Sequence, residues 1–415
     1  MLSFPMKKPL DPVDLDKVVK GIDKKLWGNQ GSLVMQELNN IRDKMRAASG
    51  IDIESERAKK ESNFFGDIIS SFSSMLVGNS APQQKELSTT AVMLKRQRTY
   101  DRFGVEDVEN CRTVMAQYQM LASRADQICL GMPLQDFGVS FNWSEAFDRT
   151  PHSAPSWSYE RACAVFNLAA VISYLATHQN RSTDEGIKAA AGLFQQAAGA
   201  LVWCKWLADE GTWPRPSDMS EDTLCCLESL MLAQAQKTFV EKAVRDGLSD
   251  KITCMLAAEC AGMYAECVER VDAAVKGGRP ISAMASKSAH WLEVVRWNAA
   301  LWDGVQHFYA ARLDGAQSQY GAQVGRLHYA LAQVTWARDA CVDDRIKPVM
   351  EEWHGKVSDE YAAAKKDNDD AYHEIIRAVA DLPALERKSM VRSTPPPEET
   401  EQVPIMPKLA GPPSA

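Results

Sequence analysis

No two cysteines in this 415-residue chain are spaced CxxC, although there are ten of them. A structural zinc site needs ligands paired at such short spacing, so no metal is expected. The thiols at Cys111, Cys129, Cys163, Cys204, Cys225, Cys226, Cys254, Cys260, Cys267 and Cys341 sit mostly in apolar helical sequence. They read as reduced, buried small hydrophobes, the usage of a reducing compartment. No run of about 18 apolar residues occurs, and the opening MLSFPMKKPLDPVD lacks the continuous apolar stretch of a signal peptide. A cytoplasmic protein, neither exported nor membrane-spanning, is expected, and the acceptor-like triplets at Asn142 and Asn180 are chance matches.

Catalytic motifs are also missing. The seven histidines are scattered with no HExxH, no GxxxxGK[ST] loop cradles a phosphate, and no GxGxxG follows a strand. No GxSxG elbow occurs, and none of the cysteines has an arginine six positions on, as a cysteine phosphatase loop requires. The chain is read as a non-enzyme with no cofactor. Lys and Arg number 47 against 55 Asp and Glu, a net charge of −8. Nucleic acid is not an expected partner, because binding it needs a clustered cationic footprint.

What the chain does have is helical periodicity. From about residue 100 onward, long apolar-periodic segments alternate with short polar breaks such as GTWPRPSD at 211–218, GLSD at 247–250 and GGRP at 277–280. Tyr159 to His178 is apolar nearly all round, as in a helix buried on several sides. Further helices are predicted over 221–247, 251–276, 281–313, 318–345 and 348–379, joined antiparallel as a bundle or degenerate solenoid. The first fifty residues (Leu10 to Ala48) read as mixed helix. One stretch, FGVSFNWSEAF at 137–147, alternates with period two and predicts a small sheet element near 137–145.

Residues 50–92 read as an insertion. Within it, Phe64, Phe65, Ile68, Ile69, Phe72, Met75 and Leu76 share one face of a helix over 63–78 whose other face is almost all Ser, Gly and Asn. That composition suits a lipid-packing sensor, and a peripheral membrane contact is one reading. Docking of the same face on the helical body, or a mobile loop, are the others. The last 21 residues, 395–415, hold seven of the nineteen prolines and should be extended and mostly disordered. Such a tail either docks on an adaptor's aromatic groove or is simply solvated.

Several segments together resemble the Bro domain family of Alix, PalA and their relatives. They are FNWSEAFD (141–148), SYERACAVFNLAAVISYLA (158–176), THQNRSTDEGIKAAAGLFQQAAGAL (177–201), LMLAQAQKTFVEKAVRD (230–246), AAAKKDNDDAYHE (362–374) and KSMVRSTP (388–395). The resemblance implies a mostly α, boomerang-shaped Bro domain over 1–394, with a tetratricopeptide-like helical solenoid and a small sheet. It implies an adaptor, peripheral on endosomes, that binds the C-terminal amphipathic helix of the class-four charged multivesicular body protein (the Snf-seven type subunit) of ESCRT-III in multivesicular body sorting and membrane scission. A signalling scaffold in an ambient-pH or small-GTPase pathway, using the same groove, is the alternative. Carried over by position, the groove falls on Phe239, Ile252 and Leu256, with Lys242 and Asp184 at its edge.

The residues themselves agree with that placement. Phe239 and Lys242 are i, i+3 on one helix, and Ile252 and Leu256 are i, i+4 on the next. Two such ridges leave a furrow for a helix with anchors at i, i+3, i+4 and i+7. Ile252→Asp and Leu256→Asp are each expected to abolish binding and leave the fold intact. The 21 residues after Thr394 leave no room for the V-shaped, peptide-reading domain of Alix-type proteins, and no CaaX box follows. A stand-alone Bro-domain protein and a fragment of a longer one are both compatible with this.

Overall fold

The computed structural model describes residues 4–10, 13, 15, 18, 30–48, 104–129, 133–281, 291–342 and 346–397. The 50–92 insertion, with Phe64, Phe65, Ile68, Phe72 and Leu76, lies outside the described residues, as does the tail beyond 397. The chain divides into two compact units. The first comprises Phe4–Val171 and Cys204–Asp218, and the second Ile172–Trp203 and Met219–Pro396.

In the first unit, β1 (Lys8–Pro9), β2 (Phe141–Ser144) and β3 (Pro151–Ala154) form an antiparallel sheet in that order. Phe141 and Trp143 of β2 are buried, as is Val139 just ahead of it, so the inward half of the period-two alternation is borne by β2, while Phe137 at its start lies in the 3-10 turn Leu134–Phe137. Helices α1 (Gln30–Ala48) and α2 (Gly104–Cys129) pack on each other. The near-continuously apolar α3 (Trp157–Thr177) is buried along most of its length. The mixed helical reading of Leu10 to Ala48 is met at Gln30–Ala48, and the residues ahead of Leu10 enter the sheet through β1. Asn167 accepts from the Lys7 N–H at 2.6 Å and donates to the Lys7 carbonyl at 2.9 Å, holding the backbone extended just before β1.

Glu160, in the first turn of α3, is wholly buried and accepts from Arg42, from the Tyr118 hydroxyl and, at 2.5 Å, from Trp143 Nε1. A carboxylate is tolerated in such a place only when charge and donors surround it. Lys7 is paired with Asp218 at 2.5 Å, both fully buried. Burial opposes the lysine's charge, yet the Asp218 carboxylate outweighs it and holds Lys7 above its ordinary 10.5.

The second unit holds α5 (Glu221–Arg245), α6 (Asp250–Lys276), α7 (Trp291–Ala316), α8 (Tyr320–Ala340) and α9 (Lys347–Asp367), each packed on the next. The long α4 (Asp184–Glu210) contributes residues to both units. Eight of the ten cysteines are buried, and burial pushes the Cys129 thiol up to about 11. Thiols so protonated are poor nucleophiles.

The closing helix departs from the sequence reading. α9 stops at Asp367 and passes through one π-helical turn, Asn368–Tyr372, to His373 with φ 53°. Asn368 ends it, donating to the Glu374 carbonyl at 3.0 Å and accepting the Glu374 N–H at 3.1 Å. From there to Pro396 the chain is largely extended and crosses the helices as a strap. The crossings are tight: a Cβ on Gly199 or on Gly325 would lie 2.0 Å from the carbonyl oxygen of Thr394 or of Arg377.

Candidate functional site

The link between α5 and α6 is four residues long, 246–249, and local chemistry fixes it. Gly247 takes φ 63° beyond the end of α5, and the Leu248 N–H reaches back to the Ala243 carbonyl at 2.9 Å, a Schellman-type stop. Ser249 then caps α6, its Oγ accepting from the Ile252 N–H at 3.4 Å. This turn leaves Leu248 45% exposed and Ile252 43% exposed, with Phe239 half-buried on α5. Leu256 is different. At 5% exposure it belongs to the packing between helices. The expectation that Leu256→Asp leaves the fold intact is therefore corrected, because an aspartate there would be a buried, unpaired charge.

The predicted polar pair forms part of a larger cluster. Lys242 Nζ lies 2.8 Å from Asp184 and 2.7 Å from Asp246, and Arg245 bonds both of the same carboxylates. Asp184 is the first residue of α4. Thr183 accepts the Gly186 N–H at 3.1 Å in front of it, so its charge faces the positive end of the helix. Hydrogen bonds from Lys242, then Arg245, hold the Asp184 carboxyl below its ordinary 3.8, and the bond to Asp184 raises Lys242. The structure thus brings Asp184 and Lys242 together. Sequence reasoning missed Leu248, Arg245 and Asp246. Their signals were the GLS stop and the basic last turn of α5.

No cluster of three His, Cys, Asp or Glu side chains suited to a metal occurs among the described residues. No described helix is long and apolar enough to cross a membrane.

A mostly helical chain with a small three-stranded antiparallel sheet and an open apolar turn between two stacked helices defines the class. The family model of the BRO1-like domain matches residues 57–411, and the chain belongs to that family. It is 29% identical over 333 residues to human programmed cell death 6-interacting protein, covering 72% of this chain and 36% of the relative. It is 32% identical over 279 residues to the pH-response regulator protein palA/RIM20 of Emericella nidulans, covering 65% of this chain and 32% of the relative. The chain therefore spans about a third of these relatives' length. Its fold is similar to the solved ALIX BRO1 CHMP4C complex, with a TM-score of 0.66, 25% identity, and coverage of 98% of this chain and 97% of that one.

Proposed function

We propose that this chain is a non-enzymatic, ESCRT-associated adaptor that binds the C-terminal amphipathic helix of a class-four ESCRT-III subunit. It would act in the cytoplasm, peripherally on endosomes, in multivesicular body sorting and membrane scission. The observation that carries the reading is the apolar surface at the α5–α6 turn. Phe239 and Ile252 stand partly open, Leu248 joins them, Leu256 supplies a rigid floor, and the Asp184, Lys242, Arg245 and Asp246 cluster lies beside them. The likeness to a BRO1 domain solved with CHMP4C adds support.

The energetics suit a reversible contact. Each aliphatic anchor buried contributes about 1.5–3 kcal/mol. Two or three anchors supply about 3–9 kcal/mol before ordering costs, the scale of a weak, readily reversed contact to which the polar cluster must also contribute. The test is fluorescence anisotropy with a labelled C-terminal helix of CHMP4C and, for comparison, the corresponding helices of other ESCRT-III subunits. Saturable binding to the class-four helix that weakens about tenfold or more in Ile252→Asp supports the reading. Binding of unchanged affinity in Ile252→Asp overturns the groove's position. The similarity to palA/RIM20 favours a second reading, a scaffold in ambient-pH signalling that uses the same groove for a different output. Loss of a pH response with intact cargo sorting in an Ile252→Asp strain would select it.

A further inference from the structure

The strap that closes the second unit is fastened by polar bonds and by almost no buried apolar side chain, with Arg387 also reaching the Ala258 carbonyl at 3.4 Å and Glu266 at 3.5 Å, and Arg326 donating to the Pro383 carbonyl at 3.1 Å. Its Lys388 N–H donates to the Met255 carbonyl at 3.1 Å and its Met390 N–H to Gln236 Oε1 at 2.9 Å. The Arg392 N–H donates to Gln195 Oε1 at 3.1 Å and the Thr394 N–H to the Gln195 carbonyl at 3.0 Å. Side chains add Arg387 to Glu259 at 3.5 Å and Ser393 Oγ to Glu228 Oε1 at 2.6 Å. Of residues 383–396 only Pro396 is buried. So little apolar burial means that the segment opens locally at low cost, and a kinase needs its substrate extended and detachable.

Ser393 is the vulnerable fastener. It follows Arg392, with Arg387 and Lys388 upstream, and precedes Thr394 and three prolines. Its hydroxyl is a hydrogen-bond donor to a carboxylate, a role that a phosphate cannot fill. We propose that Ser393 is a phosphorylation site whose modification unfastens the strap from α5. In the step, Ser393 Oγ attacks the γ-phosphorus of a nucleoside triphosphate. The Oγ–P bond forms as the bond from that phosphorus to the bridging oxygen breaks, the nucleoside diphosphate leaves, and the hydroxyl proton passes to solvent. The product places about two negative charges against Glu228. A donor–acceptor bond becomes a repulsion.

The strap also reaches the floor of the groove. Gln236, buried on α5 three residues before Phe239, donates to the Leu256 carbonyl at 3.2 Å and to the Lys388 carbonyl at 2.9 Å while accepting from Met390. Releasing the strap removes two of the three bonds that hold this side chain. Weaker helix binding is the consequence, and that part rests on the groove reading above.

The test uses the full chain with phosphoserine incorporated at position 393 during translation, beside the unmodified chain, Ser393→Ala, and phosphoserine combined with Glu228→Gln. Amide hydrogen exchange at Met390, Arg392 and Thr394 should accelerate about tenfold or more on phosphorylation. The effect should be smaller in Ser393→Ala and should largely reverse with Glu228→Gln. Equal exchange in the phosphorylated and unmodified chains overturns the proposal, and would mean that Arg392 or solvent accommodates the phosphate. Acceleration untouched by Glu228→Gln overturns the repulsion. Helix affinity is read separately. Faster exchange with unchanged affinity overturns the coupling alone, whereas an unmodified chain that binds no helix overturns the groove reading and leaves the exchange result standing.

Discussion

Glu160 and Asp184 are both carboxylates in the first turn of a long helix, and both accept from an arginine. Glu160 is wholly buried and takes donors from α1, α2 and β2 at once. Asp184 keeps 65% of its side-chain surface in water and shares its charge with Lys242 and Arg245. The bonding patterns are alike, but the solvent is not. A buried carboxylate leaves several unmet partners when it is removed, whereas an exposed one hands its partners back to water. The most recognisable sequence in the chain, the segment around Tyr159-Glu160 and Phe166-Asn167, therefore builds the fold. The residues proposed to meet a partner are chemically ordinary.

The largest expected effect comes from breaking the buried side of that comparison. Glu160→Ala strands the Arg42 guanidinium and the Tyr118 and Trp143 donors in the interior, and should cost about 3–5 kcal/mol in urea denaturation. Glu160→Gln keeps the shape and loses the charge, and should fall between wild type and Ala. A cost under about 1 kcal/mol for Glu160→Ala would mean that the network carries no weight.

Next comes the contrast within the groove. Leu256→Ala removes a buried side chain and should destabilise by about 2–5 kcal/mol. Ile252→Asp, at an exposed position, should stay within about 0.5 kcal/mol of wild type. It should nonetheless weaken the helix peptide about tenfold or more through the lost anchor. Leu248→Ser sharpens the same point. If Leu248 extends the docking surface, the variant loses affinity with an unchanged melting temperature, and unchanged affinity confines the surface to Phe239 and Ile252.

The helical body was legible because apolar period and polar stops both report on local structure. The sheet was legible for the same reason, through Phe141 and Trp143. The strap was not. IIRAVADL at 375–382 has apolar residues at helical spacing, yet Asn368 closes the helix by bonding both backbone groups of Glu374, a local side-chain-to-backbone stop that apolar periodicity does not encode. The split between Ile252 and Leu256 was hidden too. They share a face at i, i+4, but neighbouring helices cover one and not the other. The pairing of Asp184 with Lys242 across 58 residues came only from family resemblance, since nothing in the spacing joins them.

The smallest effect probes the exposed side of the opening comparison. Hydrogen bonds from Lys242 and then Arg245 depress the Asp184 carboxyl below its ordinary 3.8, and the same two residues depress Asp246. A depressed acid contributes stability that is fully present above its unfolded value and is lost as pH falls through the folded one. The cluster should therefore be indifferent to pH from about 8 to about 5 and open only in strong acid. Carbon-detected NMR titration of the Asp184 side chain reads this directly. Its midpoint should lie below 3.8 and climb toward that value in Lys242→Met, with Arg245 left as the weaker support. Asp184→Asn should lower the melting curve only slightly, because the two cations regain water. A midpoint at 3.8 or above in the unmutated chain would mean that the four charges are not held together in solution, and that the edge of the groove is open to a partner's acids instead of being neutralised from within.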